Sequence, residues 1–534
     1  MAWAALPAAL ALPTDYAAAQ AGPNTTPEVV AAANANTPPI PKGPYQPTWD
    51  SVSQHAIPDW YRDGKFGISM HWGLYSVPAH GSEWYDKNMY GDAGTYAWQV
   101  QKFGPLDKFG YKDFIPMFTA KNFSADAWAE LFKKAGAKYV MPSAEHHDGF
   151  ALWDSAVDPY NAKAMGPKQD LIGELAAAVH KQGLKFGVTN HSMEHFTFVN
   201  PRAVPPDVLA GLQAKKLDLY DPAWADFYSV ADRSDAATQK FLTNWVKQNY
   251  ELIDKYKLDA LWWDNGVNPR VFDPLKLDVF AYFYNRAAAE GREVQLITKG
   301  NASEGGHVED YERQSRMPKE IQDAEFEVHD SPGHRWGYLE NDNYAGTGWG
   351  VGRLVEAVCR NGNFLLNIGP TADGTIPPQE VDLLLGMGKW LDVNGEAIYG
   401  TRAWTIPGEG KMVMSRYTPA EIRFTTKGNT LYAIVMAWPT DGQVNITSLA
   451  SGAATLPVGK VDKVELLGHS GPLEFTQDKD GLKVKMPAEK PGDYAYALKI
   501  TGLDLSKPAS TAPATPAAGA SGSAENALSS TAKS

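Results

Sequence analysis

Residues 258–266 read LDALWWDNG. Four apolar residues, Ala260 to Trp263, follow Leu258 and Asp259 and run straight into Asp264, after which Asn265-Gly266 is a turn signal. A buried-looking strand that ends on a carboxylate must solvate it, pair it or use it. Alternation along the strand puts Asp264 on one face with Trp262 and Ala260, and Leu261 and Trp263 on the other.

Six further apolar runs flank this one: KFGISMH (65–71), KYVMPSAEHH (138–147), LKFGVTNH (184–191), VQLITKG (294–300), FEVH (326–329) and NFLLNIG (363–369). Amphipathic helix patterns fall between several of them. SADAWAELFKKAG aligns Trp128, Leu131, Phe132 and Ala135, with Ser124 as cap and Gly136 as stop, and DLIGELAAAVHKQG aligns Leu171, Leu175, Ala178 and Val179. Seven strands alternating with helices predict an α/β fold, a (β/α)8-like barrel, irregular because no eighth strand is clear. From about residue 411, short β-prone runs replace the helices and predict a C-terminal β-sandwich.

The expected organisation is a possible signal peptide over 1–21, a linker over 22–46, the catalytic barrel over 47–405, the sandwich over 406–504 and a disordered, low-complexity tail over 505–534. The apolar, Ala-rich leader points to export, periplasmic or secreted. The chain has 534 residues, 44% of them hydrophobic, and a net charge of -13 without a basic run, which argues against nucleic acid and anionic membranes as partners. No segment is apolar for long enough to predict a membrane span. Cys359, the only cysteine, falls in an apolar helical pattern and reads as core.

The strand ends carry the functional signal. His71, Glu145 to Asp148, His191, Asp264, and Glu327 with His329 and Asp330 all fall at or just after strands. In an α/β barrel those ends gather at one mouth. Carboxylates, histidines and aromatic walls in one pocket suggest glycoside hydrolysis, in which one carboxylate attacks and a protonated one assists the leaving group. No nucleophile elbow, Walker loop or dinucleotide fingerprint is present. HSMEH (191–195) matches a zinc-peptidase pattern through His191, Glu194 and His195, but that pattern needs a helix, and here it follows a strand.

WYRDGKFGISMHWGLYSVPAHGSEWY (60–85), EHHDGFALWDS (145–155), LWWDNG (261–266), WGY (336–338) and GNFLLNIGPTADGTIP (362–377) together, in this order, resemble glycoside hydrolase family 29, the α-L-fucosidases. The resemblance spans roughly 50–400. It implies a retaining exo-glycosidase acting on a fucosylated glycan or glycoconjugate, with a barrel and a sandwich and no metal or cofactor. It makes Asp264 the nucleophile and assigns His71, Glu83, Trp84, His146, His147, Trp262 and Trp336 to the sugar pocket. Phe326-Glu327 before Trp336 matches the aromatic-Glu pair that carries the acid/base, with Glu325 and Glu312 as alternatives. Arg313 matches a sugar-binding arginine, with Arg316 as alternative. Where many members have a tyrosine after the third strand, this chain has Asn190-His191, and one of the two must replace it. The remaining rival is an inactive carbohydrate-binding protein on the same scaffold.

Overall fold

A computed structural model describes residues 25–411 and 417–506. The expected leader and nearly all of the expected tail lie outside the described residues. Eight parallel strands close a barrel in sequence order: β1 (Phe66–Met70), β2 (Tyr139–Glu145), β3 (Lys185–Asn190), β4 (Ala260–Trp263), β5 (Gln295–Lys299), β6 (Val308–Asp310), β7 (Phe326–Asp330) and β8 (Gly362–Ile368). β8 returns to β1, pairing Phe66 with Phe364 through Met70 with Ile368. The strand that the sequence left unseen is β6. Its three residues, Val-Glu-Asp, are too short and too polar to make an apolar run.

The alternation read from LDALWWDNG holds. Ala260 and Trp262 pack inside the barrel with Tyr61, Tyr139, Met141, Ile297, Val308 and Leu365. Leu261 and Trp263 join the outer core under the helices, where the Trp263 indole donates to Asn249 Oδ1 (3.0 Å). Space at the axis explains Gly67 in β1: a Cβ there would lie 2.2 Å from the Tyr139 ring. Ser124 caps the helix Ala125–Lys134 as its sequence implied. Cys359 is buried, and burial pushes its thiol up to about 12.

The expected linker is structured from residue 27 on. Thr26 caps the helix Pro27–Asn34, which buries Val29, Val30 and Ala33. The helix packs on the long helix Asp235–Tyr256, where Thr243 Oγ1 donates to Ala33 O at 3.0 Å. Pro-rich composition hid a short capped helix whose stability is tertiary.

The second unit begins at Arg402, four residues before the expected boundary, because β9 (Arg402–Glu409) already pairs with β10 (Ile422–Lys427). With β11 (Thr430–Val435), β12 (Gln443–Ile446), β13 (Val458–Leu466), β14 (Phe475–Asp478), β15 (Gly481–Lys485) and β16 (Tyr496–Asp504) it forms two antiparallel sheets, ordered β13-β16-β11-β10-β9 and β12-β15-β14, over one apolar core. A buried ion cluster joins this unit to the barrel. Glu356, on the helix Thr347–Val358, accepts from Arg423 of β10 (2.7 Å) and from Arg360 (2.7 Å).

Candidate active site

The ends of β1 to β5 and the loops after them converge on Asp264. Its Oδ2 lies 2.9 Å from His191 Nδ1 and 3.5 Å from His147 Nε2. Its Oδ1 accepts the Asn265 N–H at 2.7 Å and faces Lys299 Nζ at 2.5 Å. Burial alone would raise the carboxyl, but the Lys299 charge and the His191 hydrogen bond outweigh it and hold Asp264 well below the usual carboxylate range. Asp264 is therefore ionised and fixed on both oxygens, as a nucleophile at neutral pH must be.

Lys299 is the last residue of β5, and sequence reading gave it no role. Its ammonium also lies 3.0 Å from Glu312 Oε2, in the loop after β6, and 5.1 Å from the centre of the Trp262 ring. Two carboxylates thus share one cation at 2.5 and 3.0 Å, so the facing oxygens are separated by at most the sum of these, about 5.5 Å. Burial pushes Glu312 up, and the Lys299 charge more than reverses it, leaving the carboxyl below its ordinary value.

The imidazoles form the wall. His71 Nδ1 lies 2.7 Å from Asn367 Oδ1, and its ring stacks on Trp336 at 5.2 Å. His146 packs between His71, Tyr75, His147 and His191. Burial is the first cause that holds His71, His146 and His147 below the ordinary histidine value, His147 at about 3, so all three are neutral. Among the described residues, His146 Nδ1, Trp262 Nε1 and the Tyr75 hydroxyl are buried without a hydrogen-bond partner. Such orphaned polar atoms around a pocket fit a ligand rich in hydroxyls. Glu83 Oε2 accepts the Trp336 N–H at 3.1 Å and so ties the SEWY segment to the WGY segment. Trp84 stands edge-on to His147 (6.2 Å), with Lys87 over its ring. Arg313 bonds Asp330 Oδ1 (3.0 Å) and lies over Trp336 at 4.3 Å. Arg316 is half exposed, 3.6 Å from Glu312.

Asn190 turns away: its Oδ1 accepts from Ser192, and its amide faces Asn249. Of the two, His191 stands on the pocket side, on Asp264 and Thr189.

Two expected acid/base candidates lie away from the mouth. Glu327 is the second residue of β7, fully buried, and its Oε2 accepts from Tyr139 (2.6 Å) and Tyr61 (2.8 Å) toward the barrel floor. Two residues further along the same face, His329 reaches the pocket level, 4.6 Å from the Trp336 ring. Glu327 is thus one side-chain layer too deep to touch a leaving group. Glu325 precedes β7 and pairs with Arg62, which precedes β1, at the opposite end of the barrel (2.8 Å). Of the three candidates, Glu312 is the one at the mouth.

The zinc pattern also dissolves. His191 is engaged by Asp264 and Thr189, while His195 directs its ring nitrogens to the carbonyls of His147 (2.8 Å) and Asp226 (3.3 Å). Donor atoms of His71, His146 and His191, and of His147, His191 and Asp264, do cluster within 4.8 Å, a spacing that could bridge a cation. At Asp264 the Lys299 ammonium already supplies the positive charge.

Glu194 gains a different meaning. Its Oε2 is 3.6 Å from His147 Nδ1, and its Cγ would lie 2.6 Å from a Cβ at position 266, so Gly266 permits its approach. Burial first, then the Asp264 charge, push Glu194 up to about 8. A cavity of about 490 Å³ opens beyond His195 and is lined by Glu145, Asp158 and Gln248, but not by Asp264, Glu312 or Lys299.

Residues 32–396 match the model of the family described as alpha-L-fucosidase, and residues 416–501 match that of the alpha-L-fucosidase C-terminal domain. Rat tissue alpha-L-fucosidase is 32% identical over 483 residues, covering 86% of this chain and 93% of the relative. Human tissue alpha-L-fucosidase is 30% identical over 471 residues, 86% and 92% of the two chains. Among solved structures, the Thermotoga maritima alpha-fucosidase in complex with fucose is similar with a TM-score of 0.69 and 29% identity, over 86% of this chain and all of that one.

Proposed function

The chain belongs to the alpha-L-fucosidase family, a family of glycoside hydrolases, and on that footing we propose that it removes terminal α-L-fucose from glycans by double displacement. Asp264 attacks the anomeric carbon, and Glu312 donates a proton to the leaving oxygen and later activates water. The observation that carries this pair is the shared Lys299, which limits the facing oxygens to about 5.5 Å, the retaining rather than the inverting range. His71 and His146 offer neutral imidazoles to the sugar hydroxyls, His191 holds Asp264 in place, Trp262 is the floor, and Trp84 and Trp336 are walls. Export remains part of this reading, supported by the apolar leader.

A second reading gives the acid role to Glu194, which is the mouth carboxyl already protonated at neutral pH, held near 8 by burial and by Asp264. Glu312→Ala and Glu194→Ala, assayed on 4-nitrophenyl α-L-fucoside with and without azide, separate the two. Azide restores turnover, as α-L-fucosyl azide, in whichever variant has lost the acid/base. Rescue of Glu194→Ala alone would remove Glu312 from the role.

A further inference from the structure

Resting on the Asp264–Glu312 reading, we propose that Lys299 is a positioning residue that works as a charge clamp: its ammonium binds the acid to the nucleophile until the substrate's glycosidic oxygen enters between them and parts Lys299 from Glu312.

Three observations carry it. Among the described residues, Lys299 is the one group that touches both carboxylates, at 2.5 and 3.0 Å. It is 8% exposed at the side chain and lies over Trp262, so it spans the gap from inside the pocket. In a retaining enzyme, the anomeric carbon and the leaving oxygen must occupy the space between the two carboxyl groups. The ammonium spans that same gap, so substrate and the Lys299–Glu312 contact compete.

The consequence is electrostatic. While clamped, Glu312 is held below its ordinary value and is ionised, the wrong state for an acid. Once the ammonium stays with Asp264 alone, Glu312 is a largely desolvated carboxylate, 22% exposed at the side chain, facing an ionised one, and both conditions favour its neutral form. It then takes one proton from solvent, which it later gives to the leaving oxygen, and the charge balance of the site is kept. Other described groups act on Lys299 and its partners, beginning with His191, 2.9 Å from Asp264. Asp310 on β6 attracts the ammonium, and Arg316 lies 3.6 Å from Glu312 on the loop. Glu194 and His147, after β3 and β2, and His329 on β7 all feel the Lys299 charge. Arg316 is half exposed and remains when the clamp opens, so it moderates the proton uptake without replacing Lys299.

The test uses the whole enzyme, Lys299→Met and Lys299→Arg. Wild-type turnover of 4-nitrophenyl α-L-fucoside comes first, with azide rescue of Glu312→Ala. Failure of either breaks the reading of the site, not the clamp. Proton uptake is then measured by calorimetry, near neutral pH in buffers of different ionisation enthalpy, on binding a hydrolysis-resistant S-linked aryl α-L-fucoside. Wild type and Lys299→Arg should take up about one proton, and Lys299→Met none, because its Glu312 is protonated from the start. The descending limb of kcat/KM against pH should move up by at least about one unit in Lys299→Met. Binding without proton uptake in the wild type overturns the proposal, whether or not Lys299→Met folds. A Lys299→Met enzyme with lowered kcat but an unmoved limb would show that Lys299 is structural only.

Discussion

Two buried ion clusters invite comparison. At the joint between barrel and sandwich, one anion, Glu356, sits between two arginines. At the mouth, one cation, Lys299, sits between two carboxylates. The joint is closed on itself. Arg423 also donates to the carbonyls of Glu409, Ile422 and Lys411, Arg360 to those of Glu356 and Lys319, and Glu356 and Arg423 are wholly buried. Planar guanidinium forks suit such permanent pairing. The mouth uses a single-point ammonium on a flexible stem, with excess negative charge and orphaned polar atoms nearby. A cluster built to hold is satisfied in every direction; a cluster built to react keeps one partner that can let go.

That contrast is most sharply broken at Asp264. Asp264→Gly should lower kcat on aryl α-L-fucosides by a factor of about 10⁴ or more with little change in melting temperature. Added azide should give the β-L-fucosyl azide. Near-normal turnover in a folded variant would strip Asp264 of its role. Glu312→Ala should cost about 10² to 10⁴, more for poor leaving groups than for 4-nitrophenol, since acid assistance matters most where departure is hard. An equal loss on both substrates would mean Glu312 positions rather than protonates.

The joint should answer in the opposite currency. Glu356→Ala leaves two buried arginines without their anion and should destabilise the protein by about 3–5 kcal/mol, read by denaturant or thermal unfolding. The kcat of the molecules that remain folded should be unchanged. A fall in kcat at constant stability would show that the joint communicates with the mouth, and the division between holding and reacting clusters would not stand.

How much of this was legible depended on what each residue's neighbours in sequence reveal. Seven strands showed themselves because each is at least four residues long and carries two or more apolar residues, and β6 did not because a barrel closed on both sides tolerates a three-residue strand with a single valine. Asp264, His71 and His191 were readable as strand ends, since sequence position alone brings strand ends to the mouth. Glu327 misled because spacing to a downstream motif says nothing about depth. The same alternation that placed Trp262 puts Glu327 and His329 on one inner face, and the rise of a strand, about 3.3 Å per residue, puts Glu327 some two residues lower. Lys299 was present in VQLITKG but silent, because its partners come from β4 and from the loop after β6, 35 and 13 residues away on either side. Glu194 was visible mainly inside a zinc pattern whose two histidines, one at a strand end and one opening a single helical turn, turn to different partners.

Glu327 also offers the gentlest test of the comparison, because it is a buried carboxyl of a different kind, with neither a cation to hold it nor a substrate to meet. Burial pushes it up to about 7, against the opposing hydrogen bonds from Tyr139 and Tyr61. A carboxyl whose value rises on folding favours the native state fully below its unfolded value, near 4.5, and loses that contribution as pH climbs through about 7. Glu327→Gln cannot ionise, so it should leave activity within about twofold, match the wild type in melting temperature near pH 4.5, and exceed it by a few degrees at pH 8. A large loss of kcat rescued by azide would return the acid/base to Glu327 and require the β7 floor to open in the working enzyme. A melting difference independent of pH would mean that Glu327 stays neutral throughout, with its two tyrosines serving only to fasten the base of the barrel.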